Sequence, residues 1–293
     1  MRRVGIALLW LLWRSLPARM LGALGTTLGS VLYYLAAERR RIGATNLRLC
    51  FPEHAEAGRA RLLLAHFRAL GRATLLETVS WWGNRDEVER LTRLEGCEHY
   101  LAHAGKPVIW LAPHFVGLNI GGVRVTAEYA PIVSLYARIK NPHIDRLMLR
   151  ARTRFSHADK HSEMFSRHDG IKPVIRAIRK GLPFYYLPDM DFGRKDAIFS
   201  PFFGVPAATV TGLSRIAKAT GAVVIPCITS WEEHGFVARF HPAWENFPSG
   251  DVEADTRRMN AFIEDRIREM PEQYFWLHKR FKTRPEGEPS LYE

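Results

Sequence analysis

Cysteine is scarce in this 293-residue chain, and the few thiols are scattered. Cys50, Cys97 and Cys227 are the three present, and no two of them form a CxxC pair. An odd, dispersed set argues against a disulfide framework and against a cysteine zinc site. The pattern predicts a reducing compartment on the cytoplasmic side, with all three side chains used for packing.

Acidic residues are fewer than basic ones. The chain has 30 Asp and Glu and 42 Lys and Arg, which gives a formal net charge of +12. Such a surplus attracts polyanions, which include nucleic acids, acidic lipid headgroups and acidic carrier proteins. A basic nucleic-acid-binding protein stays open as an alternative, although the chain has no recognisable RNA- or DNA-binding motif. The hydrophobic share of 47% excludes a disordered polymer.

Long uncharged runs are also few, and the longest candidate lies near the N-terminus. An apolar stretch from Val4 to Trp13 is interrupted by Arg14 and Pro17, and an uncharged run then extends over 20–37. Its length barely reaches the roughly 17–25 residues that a spanning helix needs. Three arginines at 39–41 favour a cytoplasmic C-terminal side, but arginines also charge the other flank. The sequence predicts a membrane-anchoring segment over residues 1–40 that either spans the bilayer or lies in its interface.

Beyond residue 40, apolar runs alternate with amphipathic stretches. A long helix is predicted over 53–82, and helices over 119–129, 142–155, 170–180, 209–220 and 252–269. Strands are predicted over 106–112, 131–138, 183–187, 222–229 and 235–240, while 84–95 is predicted to be a connector. The alternation predicts an α/β fold with a mixed central sheet flanked by helices. No internal repeat, low-complexity tract or linker is visible.

Two polar segments each follow a predicted strand. His114 stands in APHFVGLN at 112–119, and Asp189 and Asp191 stand in LPDMDFGRKD at 187–196. Sites in α/β folds gather at the carboxyl ends of strands, so His114 is a candidate general base. The alternative is a histidine that bonds only to backbone. The two aspartates could position a histidine, hold sugar hydroxyls or bind a metal, or they could form a solvated loop with local ion pairs.

Two later segments are less specific by themselves. The segment PFFGVPAAT at 201–209 precedes a predicted helix, whose N-terminus could accept an anionic group, but ordinary loop packing fits equally. The segment PEQYFWLHKRFKTRP at 271–285 mixes aromatic and basic side chains. That mixture suits a membrane interface, a phosphate-rich ligand or single-stranded nucleic acid.

Taken in order, these segments resemble the late acyltransferases of lipid A biosynthesis, the lauroyl/myristoyl transferase family. The resemblance runs over most of the chain and is carried by RIGATNL at 41–47, CFPE at 50–53, the His114 segment, NPHID at 141–145, the block 188–209 and the tail 273–285. It implies a glycerolipid-acyltransferase-like domain over 41–293, an acyl-acyl carrier protein donor and a hydroxyl of an anionic lipid A precursor as acceptor. It also implies the bacterial inner membrane, with the catalytic domain on its cytoplasmic side, and neither cofactor, metal nor nucleic acid.

The resemblance also assigns residues. It implies that His114 is the catalytic base of a motif in which an Asp or Glu follows after four residues, and that Arg152 and Asp189 join it. Asn119 stands at the acidic position here. The expected substrate-binding residues are these: Asp191, Arg194, Arg167, Lys279 and Arg280.

Asn119 departs from that motif. Its amide oxygen can accept a hydrogen bond from His114, but it cannot neutralise an imidazolium. Three interpretations follow: a slow natural enzyme, an active enzyme in which another acid serves His114, or an engineered inactivation. A glycolipid-binding relative with low or no turnover is therefore the alternative function.

Overall fold

The computed structural model describes residues 2–155 and 161–292, without the side chains of residues 2–4 and 167. Its helices are α1 (Arg2–Ser15), α2 (Ala18–Leu35), α3 (Ala37–Cys50), α4 (Glu56–Trp82), α5 (Arg85–Leu91), α6 (Cys97–Leu101), α7 (Leu118–Glu128), α8 (Pro142–Thr153), α9 (Lys172–Arg179), α10 (Gly212–Thr220) and α11 (Val252–Glu269). Short 3₁₀ turns cover Arg167–Asp169 and Pro271–Gln273.

The strands are β1 (Thr92–Glu95), β2 (Val108–Leu111), β3 (Val133–Tyr136), β4 (Glu163–Ser166), β5 (Phe184–Tyr186), β6 (Ala197–Phe202), β7 (Val205–Val210), β8 (Val223–Glu232) and β9 (Gly235–Phe240). Seven of them form one sheet in the order β1-β9-β8-β2-β5-β3-β4, and β6 and β7 form a separate antiparallel pair. Within the large sheet, only β8 and β9 pair in antiparallel fashion. The predicted α/β fold with a central, mostly parallel sheet flanked by helices is confirmed.

The central strand β2 is buried at every position, as its apolar run VIWL predicts. It pairs in parallel with β5, so that Leu111 lies opposite Tyr186 at the carboxyl ends of both strands. One further bond continues this register, because the amide of Ala112 donates to the Tyr186 carbonyl at 2.8 Å. The segments that leave β2 and β5 therefore start side by side at the same edge of the sheet.

The N-terminal segment folds as helices that break at Pro17 and again at Ala36. Among residues 2–155 and 161–292, no single helix combines the length and apolarity that would let it cross a membrane by itself; α2 and α3 meet the requirement only as a pair that is bent by 91°. The predicted anchor over 1–40 stays a prediction. So does the domain boundary at residue 40, which falls inside α3.

The sheet contains strands that the sequence did not predict. The predicted connector over 84–95 contains α5 and β1, and β4 forms at the sheet's other edge. The segment 201–209 does not open a helix. It belongs to the β6–β7 hairpin, with Phe203 and Gly204 at positive φ in the turn, so its backbone is paired and offers no helix N-terminus to an anion. The helix begins later, at Gly212.

Candidate active site

His114 and Asp189 meet at the carboxyl edge of the sheet. Each lies three residues beyond its strand, and the register of β2 with β5 puts the two segments opposite each other. His114 Nδ1 lies 2.8 Å from Asp189 Oδ1, and the backbone amide of His114 donates to Asp189 Oδ2 at 2.9 Å. Asp189 is fully buried, whereas the His114 side chain keeps 21% of its surface exposed. The pair is therefore a buried carboxylate that orients a partly accessible imidazole.

The carboxylate form of Asp189 is strongly favoured. Burial alone would raise its pKa, but the positive charge available at His114 and the two hydrogen bonds from that residue outweigh burial and lower the pKa to about 2. Because an ionised carboxylate only accepts hydrogen bonds, the Nδ1 proton of His114 points at Asp189. The Nε2 atom of His114 is then the free basic nitrogen.

The C-terminal segment holds the loop that carries His114. Phe115 and Tyr274 form an isolated antiparallel bridge, in which the Phe275 amide donates to the His114 carbonyl at 2.9 Å and the Val116 amide donates to the Gln273 carbonyl at 2.9 Å. Asn46 in α3 secures the same segment, because its side-chain amide donates to the carbonyls of Trp276 and His278. The tail is thus part of the wall of the site.

That wall places two further polar side chains beside the pair. The ring of His278 lies parallel to that of Phe275, its Nδ1 is 3.3 Å from the Phe275 carbonyl, and its Nε2 is buried without a hydrogen-bond partner among the described residues. Burial and the charge of Arg280 lower the pKa of His278 to about 4, so this ring is neutral. Burial and the neighbouring Asp189 charge raise the pKa of the Tyr274 hydroxyl. Neither side chain was singled out from the sequence.

Asn119 does not hold His114, contrary to what the motif suggested. Its Oδ1 accepts a hydrogen bond from Arg152 NH2 at 2.6 Å, in the first turn of α7. The physical reason is that α7 starts directly after Gly117 and turns the Asn119 side chain toward α8, while Asp189 already occupies His114 Nδ1. Of the three interpretations of Asn119, the structure favours the one in which another acid, Asp189, serves His114.

Asn119 and Arg152 also line a small cavity of about 30 Å³ between α7, α8 and the sheet. Its other walls are mostly apolar and include Ser134 and Tyr185. Burial lowers the pKa of Arg152, and the charge of Glu77 on α4 opposes that effect. Glu77 is the acidic residue of this cluster that sequence reasoning missed, because it sits among apolar residues of a long helix whose stripe was assigned to packing. The sequence does contain one sign of Glu77, which is a single carboxylate in the apolar stretch between Leu76 and Val79.

Two of the predicted substrate-binding residues, Asp191 and Arg194, make hydrogen bonds within the chain. Asp191 is buried and ties down the tail, since its oxygens accept from the Gly193 amide and from the amide and hydroxyl of Thr283 at 2.7–2.9 Å. Arg194 donates to the Arg284 carbonyl at 2.7 Å and lies over the ring of Phe199. Both side chains thus bond the loop that follows β5 to the C-terminal segment.

The two basic residues predicted in the tail, Lys279 and Arg280, lie in different environments. Arg280 is 1% exposed and donates to the Ala208 carbonyl at 2.9 Å and to Thr209 Oγ1 at 2.8 Å, so it belongs to the core beneath the hairpin. Lys279 stays partly exposed, with its ammonium 5.8 Å from the centre of the Tyr292 ring. Arg167 begins a 3₁₀ turn, and its side chain lies outside the described residues.

This arrangement is suited to proton transfer from a hydroxyl. An imidazole whose Nδ1 is bound to a buried carboxylate can take a proton at Nε2 and be stabilised as imidazolium while it holds it. Arg152 adds a partly buried positive charge near the same edge of the sheet, where α7 and α8 meet. An anionic group would be stabilised there because the surroundings screen charge weakly.

Comparison with known proteins agrees with this chemistry. The profile of the family described as bacterial lipid A biosynthesis acyltransferase matches residues 3–283. The chain is 33% identical over 294 residues to the lipid A biosynthesis palmitoleoyltransferase of Escherichia coli, covering 98% of this chain and 93% of that protein. It is 33% identical to the lauroyltransferase of the same organism, over 99% and 94% of the two chains.

More distant relatives agree. The lipid A biosynthesis myristoyltransferase of E. coli is 28% identical over 91% of this chain and 82% of its own length. Among solved structures, the 1-acyl-sn-glycerophosphate acyltransferase of Thermotoga maritima is similar with a TM-score of 0.37 and 13% identity, over 84% of this chain and 97% of that chain. A score this low does not bear on the fold, which rests on the sheet order of this chain.

Proposed function

The chain belongs to the bacterial lipid A biosynthesis acyltransferase family, and on that premise we propose that it transfers a fatty acyl group from an acyl-acyl carrier protein to a hydroxyl of a lipid A precursor at the membrane. That it is an acyltransferase of lipid A biosynthesis follows from the family. The donor, the acceptor hydroxyl and the membrane are the proposed part. The single observation that carries the chemistry is the 2.8 Å contact between His114 and the buried Asp189.

In the proposed reaction, His114 Nε2 takes the proton of the acceptor hydroxyl while the hydroxyl oxygen attacks the thioester carbonyl carbon. The tetrahedral intermediate then expels the carrier thiolate, which takes the proton back from the imidazolium. The new ester bond replaces the thioester bond, and no redox partner is needed. Asp189 fixes the tautomer and stabilises the imidazolium during the step, as the corresponding aspartate does in a serine protease triad.

Electrostatics support anionic substrates. The net charge is +12, and a lipid A precursor and an acyl carrier protein are both polyanions. Arg152 is the proposed contact of one of their phosphate or carboxylate groups, since it lines a cavity near the catalytic edge and forms no salt bridge within the described ranges. Guanidinium is well matched to such groups because its planar N–H donors bind two oxygens at once.

Membrane attachment is proposed through α1 and α2. The glycines of α2 face α4 so closely that a Cβ at Gly29 would lie 2.1 Å from the Phe67 carbonyl oxygen. Other large apolar residues of the two helices are exposed, each by 40–73%: Leu8, Trp10, Leu11, Met20, Leu24, Leu28, Val31, Leu32 and Leu35. Exposed apolar side chains of this kind suit burial in the interfacial layer of a bilayer.

The test is acyl transfer by purified protein, with acyl-acyl carrier protein and a lipid A precursor, read by mass spectrometry of the lipid. We expect the lipid to gain one acyl chain with wild-type protein, and none above background with His114→Ala. His143→Ala is the matched control, because His143 is a partly buried histidine in the first turn of α8 and contributes no side chain to the His114–Asp189 pair. Transfer by His114→Ala at a wild-type rate would contradict the proposed mechanism.

A further inference from the structure

Three helices converge on one partly buried arginine. Arg152 comes from α8, Asn119 from α7 and Glu77 from α4, and each of these helices contacts the other two. Asn119 accepts from Arg152 NH2 at 2.6 Å. Asn119 and Arg152 border the small cavity described above. Glu77 thus shares a cluster with a cation that the proposed function gives to an anionic substrate group.

The packing of α4 on α8 explains why Glu77 faces Arg152. The ring N–H of Trp81 on α4 lies 3.2 Å from the sulfur of Met148 on α8. Glu77 lies four residues before Trp81, and Arg152 lies four residues after Met148, so each stands on the face of its helix that makes this contact. Among the charged groups near Arg152, Glu77 has the largest effect on the pKa of its guanidinium.

Glu77 and Arg152 nevertheless form no salt bridge within the described ranges. Burial raises the pKa of Glu77 to about 8, and the charge of Arg152 only partly opposes that effect. At neutral pH a carboxyl with this pKa is mostly protonated and does not neutralise Arg152, on which the charge of Asp145 acts less strongly than that of Glu77. The other titratable group that interacts with Glu77 among the described residues is Tyr185 on β5, while α7 contributes the neutral Asn119.

We propose that Glu77 is a positioning residue that acts through Arg152: no salt bridge joins these two described side chains, so the guanidinium stays free for an anionic substrate group, and a carboxylate at Glu77 would compete with that group. This inference rests on the proposed function, because it assumes that Arg152 binds a phosphate or carboxylate group. The group can come from the acceptor glycolipid or from the phosphopantetheine arm of the donor. Ionisation of Glu77 therefore weakens the binding of one of these two substrates.

The experiment compares wild type, Glu77→Gln and the control Glu56→Gln, which alters an exposed glutamate of the same helix. The KM for the lipid A precursor and the KM for the acyl-acyl carrier protein are measured separately at pH 7 and pH 9. A carboxyl with a pKa of about 8 goes from about 10% to about 90% ionised over that range. Phosphate monoesters keep their charge, because their second pKa is about 6.

We expect the wild-type KM for one substrate to rise about tenfold between the two pH values, on the same ionisation arithmetic. The rise should disappear in Glu77→Gln and persist in Glu56→Gln. A rise in the acceptor KM assigns the anion to the glycolipid, and a rise in the donor KM assigns it to the carrier arm. An equal rise in Glu77→Gln and wild type, or a flat KM for both substrates in wild type, would overturn the inference.

Equilibrium binding measurements test the role of Glu77 independently of the proposed acyl transfer. The Kd of each substrate is measured without turnover at both pH values, using the lipid A precursor in detergent micelles and the acyl carrier protein in its holo form. Binding that weakens at pH 9 only when Glu77 is present supports the inference even if no acyl transfer is detected. Transfer with a pH-independent Kd for both substrates rejects the inference and leaves the proposed function standing.

Discussion

At the scale of single residues, the imidazole of His114 turns its Nδ1 toward Asp189, and the amide of Asn119 turns toward Arg152. The charge that stabilises an imidazolium therefore comes from Asp189. In a serine protease, replacing the triad aspartate by asparagine lowers kcat about 10⁴-fold. We expect Asp189→Asn to lower kcat by a similar factor here: the single amide oxygen can keep the bond from the His114 backbone amide, but the amide nitrogen then faces Nδ1, so both the charge and the tautomer of His114 are lost.

The matched change is Asn119→Asp, which leaves the His114–Asp189 contact in place and sets a carboxylate against Arg152. We expect its kcat to change less than tenfold, on the order of 1 kcal/mol or less, with the main effect on KM. Steady-state transfer with each variant measures both. If Asn119→Asp raised kcat by several powers of ten, Asp189 would not be the acid that serves His114.

The protonation of Glu77 has a second measurable effect, on stability. Its folded pKa of about 8 lies above the ordinary glutamate value of 4.5, so the unfolded chain loses the proton first as pH rises. Stability is then lost between about pH 4.5 and pH 8, by at most about 1.4 kcal/mol per pH unit. We expect Glu77→Gln to raise Tm, and by more at pH 8.5 than at pH 5. A Tm difference that is the same at both values would mean that Glu77 titrates normally.

The sequence identified His114 and Asp189 as site residues because both stand directly after predicted strands, and the structure brings them together. It did not predict which acid bonds to His114, since that choice depends on how α7 leaves the loop. Glu77 and His278 were missed for a related reason. Each approaches the site through tertiary packing of an element whose local pattern, an apolar helix or an aromatic tail, gives no sign of what it faces.

At the scale of helices and strands, the contact between α2 and α4 depends on glycine. A Cβ at Gly29 would clash with the Phe67 carbonyl oxygen at 2.1 Å, whereas one at Gly58 would meet nothing nearer than the end of Arg61 at 4.0 Å. Alanine ordinarily stabilises a helix by roughly 0.5–1 kcal/mol over glycine. We expect Gly58→Ala to be neutral or stabilising, and Gly29→Ala to destabilise by about 1–3 kcal/mol through overpacking.

Chemical denaturation of the two variants in detergent measures the difference. Near-equal free energies of unfolding would mean that α2 can move away from α4 at little cost. In that case the outward face of α2 would not be fixed by the glycines, and the proposed membrane surface would lose its main support.

Strand prediction succeeded where runs are apolar and failed where they are not. β2, β3, β5, β8 and β9 lie within or overlap predicted segments because each contains a run of buried, mostly apolar residues. β4 is only half-buried throughout, so it has no apolar run to detect. The β6–β7 hairpin contains the paired prolines Pro201 and Pro206, which argue against a strand unless it lies at an edge, as both of these strands do.

At the scale of the whole molecule, the proposed membrane attachment combines the apolar face of α1 and α2 with the attraction of a net charge of +12 to an anionic bilayer. We expect Leu28→Glu combined with Leu35→Glu to release much of the protein from vesicles that contain anionic lipid, because two carboxylates would enter the interface. The control is Leu101→Glu, which alters an exposed leucine on α6. Vesicle flotation measures the bound fraction.

Transfer to a precursor dispersed in detergent should stay near the wild-type rate in the double variant, since these leucines are remote from His114 in the chain and face outward. If the double variant and the control float equally with vesicles, the basic surface or another part of the chain holds the protein at the bilayer. High salt would then release it, because attraction between exposed charges is screened.

His114 lies three residues after Leu111, and Asp189 lies three residues after Tyr186. This equal spacing limits the insertions and deletions that the two segments can accept. Each segment from strand end to side chain is three residues long, so a single inserted or deleted residue in either one would shift its side chain by roughly 3.3 Å along the backbone, more than the length of a hydrogen bond. We therefore expect neither tripeptide to tolerate a change of length. The spacing from strand to side chain is as much a part of the proposed active site as the side chains are.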